Sequence, residues 1–399
     1  MRILFLSTWF PYPPYQGSKI RAFHLLKALA SKHDVALVSF EDADLQPEWK
    51  EYIGQFCPVI ETLPRKPFAA SRIKSWLGWL SPQPSAVVAI HSPEMGELVR
   101  QVAGEWQPDC VVALTFVTAP YALEIAGVPK VLDIDNVMAR MLFETIPMAA
   151  GLPDRFRRWL AYLKFARYEK RIYPQFDRCL VVTESDREGV RRWVPLTPEQ
   201  VWVVSNGVDI TFLQPGMAKP APKTLVFNGA LSYNANYDAM DYFLREIFPI
   251  VLREVPEARL KITGNTAGVD LTRLALNGSV QFTGYLEDIR PTVAGSWACV
   301  VPLRLGGGTR LKILEAMALG TPVVSTFKGA EGLEVKDGQH LLLADTAETF
   351  AAQVVRLLNS AGLREDLARN GSQLAAQRYD WSQIEEHFNA CVESLILGS

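Results

Sequence analysis

The chain has 399 residues, too many for one ordinary core, and at roughly 150 residues per domain it reads as two domains. Hydrophobic residues make up 49% and charged residues 21%, a balance that excludes a disordered chain and implies a large packed core. The 41 Lys and Arg against 43 Asp and Glu leave a net charge of −2, so nothing in the balance attracts nucleic acid and any anion site has to be local.

The amino terminus, MRILFLSTWFPYPP, has one early charge and a short apolar run, with Trp9 and prolines where a signal peptide would place small residues. It reads as a buried strand, Arg2 to Leu6. Further β-rich runs follow at Val35–Phe40, Cys110–Leu114, Lys130–Ile134 and Cys179–Val182, alternating with helical patterns as in a parallel sheet covered on both faces. Ser18 to Ser31 is a predicted crossover helix, with Ile20, Phe23, Leu26, Leu29 and Ala30 along one side. Longer helices are predicted over Pro153–Tyr173 and Ser185–Trp193. The Asn-Gly turn and Pro-Gly break in VWVVSNGVDITFLQPG (201–216), with KPAPK after it, mark the domain boundary. The alternation then restarts, with strands at Thr224–Phe227, Arg259–Thr263, Val280–Phe282, Cys299–Leu303 and Pro322–Ser325. An amphipathic last helix, Ser382–Leu395, crosses back to the first domain in this reading. The expected class is α/β, two Rossmann-like domains facing a cleft: 1–205, 206–380 and a terminal helix within 381–399.

The most informative segment runs from the strand at Cys299 into Gly306, Gly307, Gly308 and Thr309, and then into a helix whose first turns are expected to carry Arg310, Lys312 and Glu315. Glycines let backbone N–H groups approach a ligand, and a helix amino terminus adds free donors and a positive dipole end, so this junction suits a diphosphate. Cations beside that dipole end are unfavourable until an anion arrives. A Gly-rich turn with solvated basic residues is the plainer reading. GGGTRLK lacks the GxxxxGK[ST] spacing of a P-loop, and TWFPYPPYQGSK has one glycine where a dinucleotide fingerprint needs three.

PLRLGGGTRLKILEAMALGTPVVSTFKGAEGL resembles the nucleotide-sugar motif of the retaining GT-B glycosyltransferases, glycosyltransferase family four, also called glycosyl transferases group one. PYPPYQGSKIRAFHLLKAL, FDRCLVVTESDRE, VVSNGVD, FNGALSYNANYDAMDYFLREIFP, ITGNTAG, FTGYLEDIRP and YDWSQI agree in order, so the resemblance covers nearly the whole chain. It implies that Glu315 accepts hydrogen bonds from the donor ribose, or else is an acid favourable to the helix dipole. The family's first glutamate falls at Gly307, a departure that leaves more of the sugar holding to the amides of Gly307, Gly308 and Thr309. In FNGALSYNAN, where many relatives carry an Arg and a Lys for the diphosphate, this chain offers Asn228, with Gly229 after it as a further substrate-binding position, and no basic residue before Arg245, so the resemblance implies that Arg310 and Lys312 take over that role. Asp135, beside Asn136 and two residues after Asp133, stands where relatives present a histidine to the donor sugar; a carboxylate there could stabilise positive charge at the anomeric carbon, or simply cap a turn. Gly17 and Ser18 fall in the first βα loop, at a backbone contact to donor phosphate or acceptor. Leu286, next to Tyr285, falls where backbone reads the base, and Glu331 is either a sugar-facing group or a loop acid.

None of the five histidines is spaced with a second ligand, so no metal site is expected, and the resemblance implies a metal-independent, cofactor-free enzyme. The five cysteines, odd in number and without a CxxC pair, read as buried thiols of a reducing compartment. The expected activity is transfer of a sugar from a nucleoside diphosphate-sugar to a glycan, lipid-linked or small-molecule acceptor in polysaccharide or glycoconjugate synthesis, in the cytoplasm. A nucleotide-sugar epimerase of the same fold and a non-catalytic binding subunit are the alternatives. No apolar run approaches the roughly 18 to 20 residues that span a bilayer. RFRRWLAYLKFARYEKRIY (155–173) and RIKSWLGWL (72–80) mix cations with aromatics and read either as a peripheral contact with the inner membrane face or as covering helices.

Overall fold

The computed structural model describes residues 1–41, 45–65, 81–308 and 310–397. It contains two compact units, one made of Met1–Ser205 with Ile384–Ser399 and the other of Asn206–Gln383. The first holds a parallel seven-stranded sheet of β1 (Arg2–Ser7), β2 (Asp34–Glu41), β3 (Val59–Pro64), β4 (Cys110–Leu114), β5 (Lys130–Ile134), β6 (Arg178–Val181) and β7 (Val201–Val203), in the order β3-β2-β1-β4-β5-β6-β7. The second holds a parallel six-stranded sheet of β8 (Ala221–Asn228), β9 (Arg259–Thr263), β10 (Val280–Gly284), β11 (Ser296–Val301), β12 (Val323–Ser325) and β13 (Leu342–Leu343), in the order β10-β9-β8-β11-β12-β13. Central strands such as β4 are buried along their whole length, because helices cover both faces and leave no solvent side to select polar residues. In each sheet the strand order reverses once, between β1 and β4 and between β8 and β11. Outside the carboxyl ends of the strands, such a reversal opens the crevice where ligands of α/β sheets bind.

The helices that carry or flank the candidate sites are α1 (Gly17–Ala30), α2 (Met138–Thr145), α3 (Leu152–Ile172), α4 (Asn234–Tyr242), α5 (Leu311–Ala318) and α6 (Trp381–Leu397). The sequence predicts a single apolar side for α1, yet the helix buries Lys19 and Arg21 as well as Phe23, Leu25, Leu26 and Leu29. It is covered on its second side by α6, whose Asn389 donates to the Ala28 carbonyl at 2.8 Å and whose Glu385 pairs with His24 at 2.6 Å.

Several short strands depart from the expected pattern. β7 lies within the stretch expected as linker, β8 already begins inside KPAPK, and β3 and β13 have no counterpart in the predicted elements. β3, β7 and β13 are edge strands of two to six residues, and β3 carries a half-buried pattern with Glu61 and Thr62. Too little apolar surface marks such edges for periodicity to find them.

Candidate active site

In the second unit, β11 leads through Pro302–Leu305 into the glycine loop, where Gly306 (φ +97°) and Gly308 (φ +75°) take the left-handed backbone that only glycine adopts freely. α5 begins at Leu311, so Arg310 stands before the helix and not in its first turn, a correction to the sequence reading. Its guanidinium folds back and donates to the carbonyls of Gly306 at 2.5 Å and Gly307 at 2.8 Å, which leaves it buried and holding the loop rather than displayed as a solvated cation. Once the loop turns its carbonyls inward they need a donor, and Arg310 supplies it. Thr309 lies outside the described residues.

Lys312 points the other way, across the strand reversal to the end of β8. Its Nζ donates to Asn236 Oδ1 on α4 at 2.6 Å and lies 4.1 Å from the centre of the Phe227 ring. A Cβ on Gly229 would sit 2.7 Å from that ammonium and 2.9 Å from Asn236 Nδ2, so the missing side chain at 229 is what lets Lys312 reach its seat. Burial is the main influence on this lysine; together with the neighbouring Arg310 it brings the pKa down to about 7, against the opposing pull of Cys299 and Glu315. Glu315 accepts from Asn228 Nδ2 at 2.9 Å, and burial raises its pKa although Asn228 and Lys312 pull the other way. Asn228, Gly229, Lys312 and Glu315 are thus gathered by direct contact. Leu286 and Glu331 are placed on the loops after β10 and β12 at the same sheet edge, Glu331 paired with Lys328 at 2.6 Å. The sequence does not single out Asn236, since nothing in SYNAN distinguishes its second asparagine from the first.

In the first unit, Asp135 follows the end of β5. Its Oδ2 accepts from Ser18 Oγ at 2.7 Å and from Asn136 Nδ2 at 3.2 Å, while Gly17 opens α1 beside them. Burial chiefly raises the Asp135 pKa, Asp133 adds to the effect, and Arg21 and Ser18 oppose it. Asp133 is buried and bound bidentately by Arg21, Nε to Oδ2 at 2.9 Å and Nη2 to Oδ1 at 2.6 Å. Arg21 also donates to the carbonyls of Val204 at 2.9 Å and Ser205 at 3.3 Å. On the other flank Glu169 of α3, 1% exposed, accepts from the Ala139 amide at 3.0 Å at the start of α2, and burial pushes its pKa to about 7. Arg21 and Glu169 therefore brace the Asp135 loop from two sides.

Residues 15–212 match the family described as Glycosyltransferase Family 4, and residues 222–360 match Glycosyl transferases group 1. The chain belongs to this glycosyltransferase family. Among full-length relatives, a protein of Klebsiella pneumoniae described as an uncharacterized 44.6 kDa protein in cps region is 21% identical over 96% of this chain and 97% of its own. The GT-B fold of this glycosyltransferase matches sucrose-phosphate synthase of Thermosynechococcus elongatus with a TM-score of 0.71 at 16% identity, over 100% of both chains. It also matches HepE of Anabaena, solved in complex with UDP-glucose, with a TM-score of 0.65 at 18% identity over 99% of this chain and 100% of that one.

All five cysteines of the glycosyltransferase are buried and unpaired, with Cys57, Cys110 and Cys299 pushed up to about 12 by burial, so none is poised as a nucleophile. Among the described residues no group of three or more His, Cys, Asp and Glu is placed to hold a metal ion, and no helix is long and apolar enough to cross a membrane. α3 is divided along its length: Phe165, Tyr168 and Ile172 pack inward, whereas Leu152, Phe156 and Trp159 are exposed. The stretch at 72–80 lies outside the described residues.

Proposed function

We propose that the enzyme moves a sugar, with retention of anomeric configuration, from a nucleoside diphosphate-sugar held by the second unit to a hydroxyl of an acceptor held by the first, in polysaccharide or glycoconjugate synthesis. The observation that carries this reading is Lys312 with Asn236, Asn228 and Glu315 at the strand reversal of the second sheet: one cation for a diphosphate and one carboxylate for ribose hydroxyls. The UDP-glucose complex of HepE and the cps-region setting of the Klebsiella relative support the donor class and the biosynthetic setting. In the reaction the bond from the anomeric carbon to the diphosphate breaks and its electron pair leaves with the diphosphate. The acceptor oxygen forms the new bond on the same face, and its proton passes to the departing phosphate oxygen. Lys312 and the glycine-loop amides stabilise the leaving charge. The role we assign to Asp135 is to stabilise the positive charge that develops on the sugar. No metal is required in this scheme.

The test is a thermal-shift screen of nucleotide-sugars in EDTA, followed by incubation of the best donor with glycan acceptors and analysis of the product's anomeric configuration. A retained glycoside is expected. An isomerised donor sugar formed without acceptor would instead identify an epimerase, and donor binding without turnover a non-catalytic subunit. The exposed Leu152, Phe156 and Trp159 among Arg155 and Arg157 favour contact with an anionic membrane surface and hence a lipid-linked acceptor. Co-sedimentation with phosphatidylglycerol vesicles, lost in a Phe156→Ala, Trp159→Ala variant, tests that reading.

A further inference from the structure

Thr115, immediately after β4, is a β-branched residue at φ +66°, a left-handed backbone that such side chains rarely adopt. It sits at the point where the first sheet reverses its strand order. Leu6 pairs with Ala113 across β1 and β4, which brings Thr8 beside Thr115, and Leu114 pairs with Asp133 across β4 and β5, which brings Asp135 to the same edge. Strain held at a ligand-binding edge points to a use other than folding.

The hydrogen bonds around Thr115 can be counted. Its Oγ1 accepts from the Val117 amide at 3.2 Å and shares a bond of 2.8 Å with the hydroxyl of Thr8, itself buried and 3.2 Å from the Leu114 carbonyl. A hydroxyl has one donor and two acceptor positions. If Thr8 gives its proton to Leu114, Thr115 donates to Thr8 and keeps one acceptor position. If Thr8 gives it to Thr115, the Thr115 proton is what remains. Either way the partly exposed Thr115 hydroxyl has one position left, held in a fixed direction by Thr8. At Asp135, the hydrogen bonds from Ser18 and Asn136 both fall on Oδ2, so Oδ1 is left to accept.

We propose that Thr115 and Asp135 Oδ1 form the seat of the acceptor, and that it selects an uncharged polyhydroxyl group. A sugar ring supplies O–H donors to the carboxylate and a hydroxyl that gives to or takes from Thr115. A phosphate or carboxylate at that position has no proton to donate and meets Asp135, whose neighbouring cation, Arg21, is bound to Asp133. The proposal rests on the glycosyl-transfer reading and names its acceptor class.

The test measures saturation-transfer NMR from the whole chain to a panel of methyl hexosides and the matching hexose phosphates. It uses the wild type, Thr115→Gly, Thr115→Ser and Asp135→Asn, with melting temperatures recorded alongside. Methyl hexosides should bind the wild type at least tenfold more tightly than the phosphates. Thr115→Ser should stay within threefold of it, whereas Thr115→Gly and Asp135→Asn should lose binding by tenfold or more. Because glycine accepts φ +66° without strain, Thr115→Gly should melt no more than about 2 °C below the wild type. Absence of binding by every hexoside, preference for the phosphates, undiminished binding by Thr115→Gly, or a collapse of its melting temperature would each overturn the seat. The melting shift produced by UDP, measured in the same variants, is expected to be unchanged. Its absence in the wild type would count against the donor reading, not against the seat.

Discussion

Lys312 gives the most quantitative handle on the proposed donor site. Ordinary lysine keeps its proton to pH 10.5, whereas here burial brings the value to about 7, so at mildly alkaline pH Lys312 is mostly neutral. A bound diphosphate restores the reason for holding the proton, and binding above pH 7 must therefore take one up. Each pH unit then costs about 1.4 kcal/mol, a factor of ten in affinity, or roughly 100-fold between pH 7.5 and 9.5. UDP is the suitable probe, because its terminal phosphate, with a pKa of about 6, is already ionised across that window. Calorimetric titration with UDP should show the fall in affinity together with proton uptake that scales with buffer ionisation enthalpy. Lys312→Met should bind weakly and without pH dependence. The stability effect has the opposite sign: between pH 7 and 10.5 the unfolded chain holds a proton that the folded chain lacks, so folding gains stability as pH rises. Lys312→Met should therefore exceed the wild type in stability most at pH 6, and the margin should shrink towards pH 9. Affinity for UDP that stays flat from pH 7.5 to 9.5 would refute the argument.

Gly229→Ala places a methyl 2.7 Å from the Lys312 ammonium and 2.9 Å from Asn236 Nδ2, so the lysine has to leave its seat; UDP affinity at pH 7 should fall tenfold or more while the denaturation midpoint changes little. Arg21→Ala leaves Asp133 buried without its cation and frees two carbonyls, at a cost of about 3–5 kcal/mol in urea denaturation. A loss below about 1 kcal/mol would show that the pair does not brace the first unit.

The sequence alone determined the two parallel α/β units, because strands buried on both faces appear as continuous apolar runs between helices, and that signal is local. It also marked the candidate donor site, since a glycine loop between β11 and a helix is contiguous in the chain. The partners of the charged groups were decided only by tertiary structure. Arg310 and Lys312 are two residues apart and look alike in sequence, yet one turns back onto the loop carbonyls and the other reaches Asn236, 76 positions away. Asp133 and Asp135 are as close, yet one is bound by Arg21, 112 positions earlier, and the other accepts from Ser18 at the head of α1. Partners so far apart leave no periodicity to read, and only the packing of α1, β5 and the loops at the sheet edges decides which partner each charge finds.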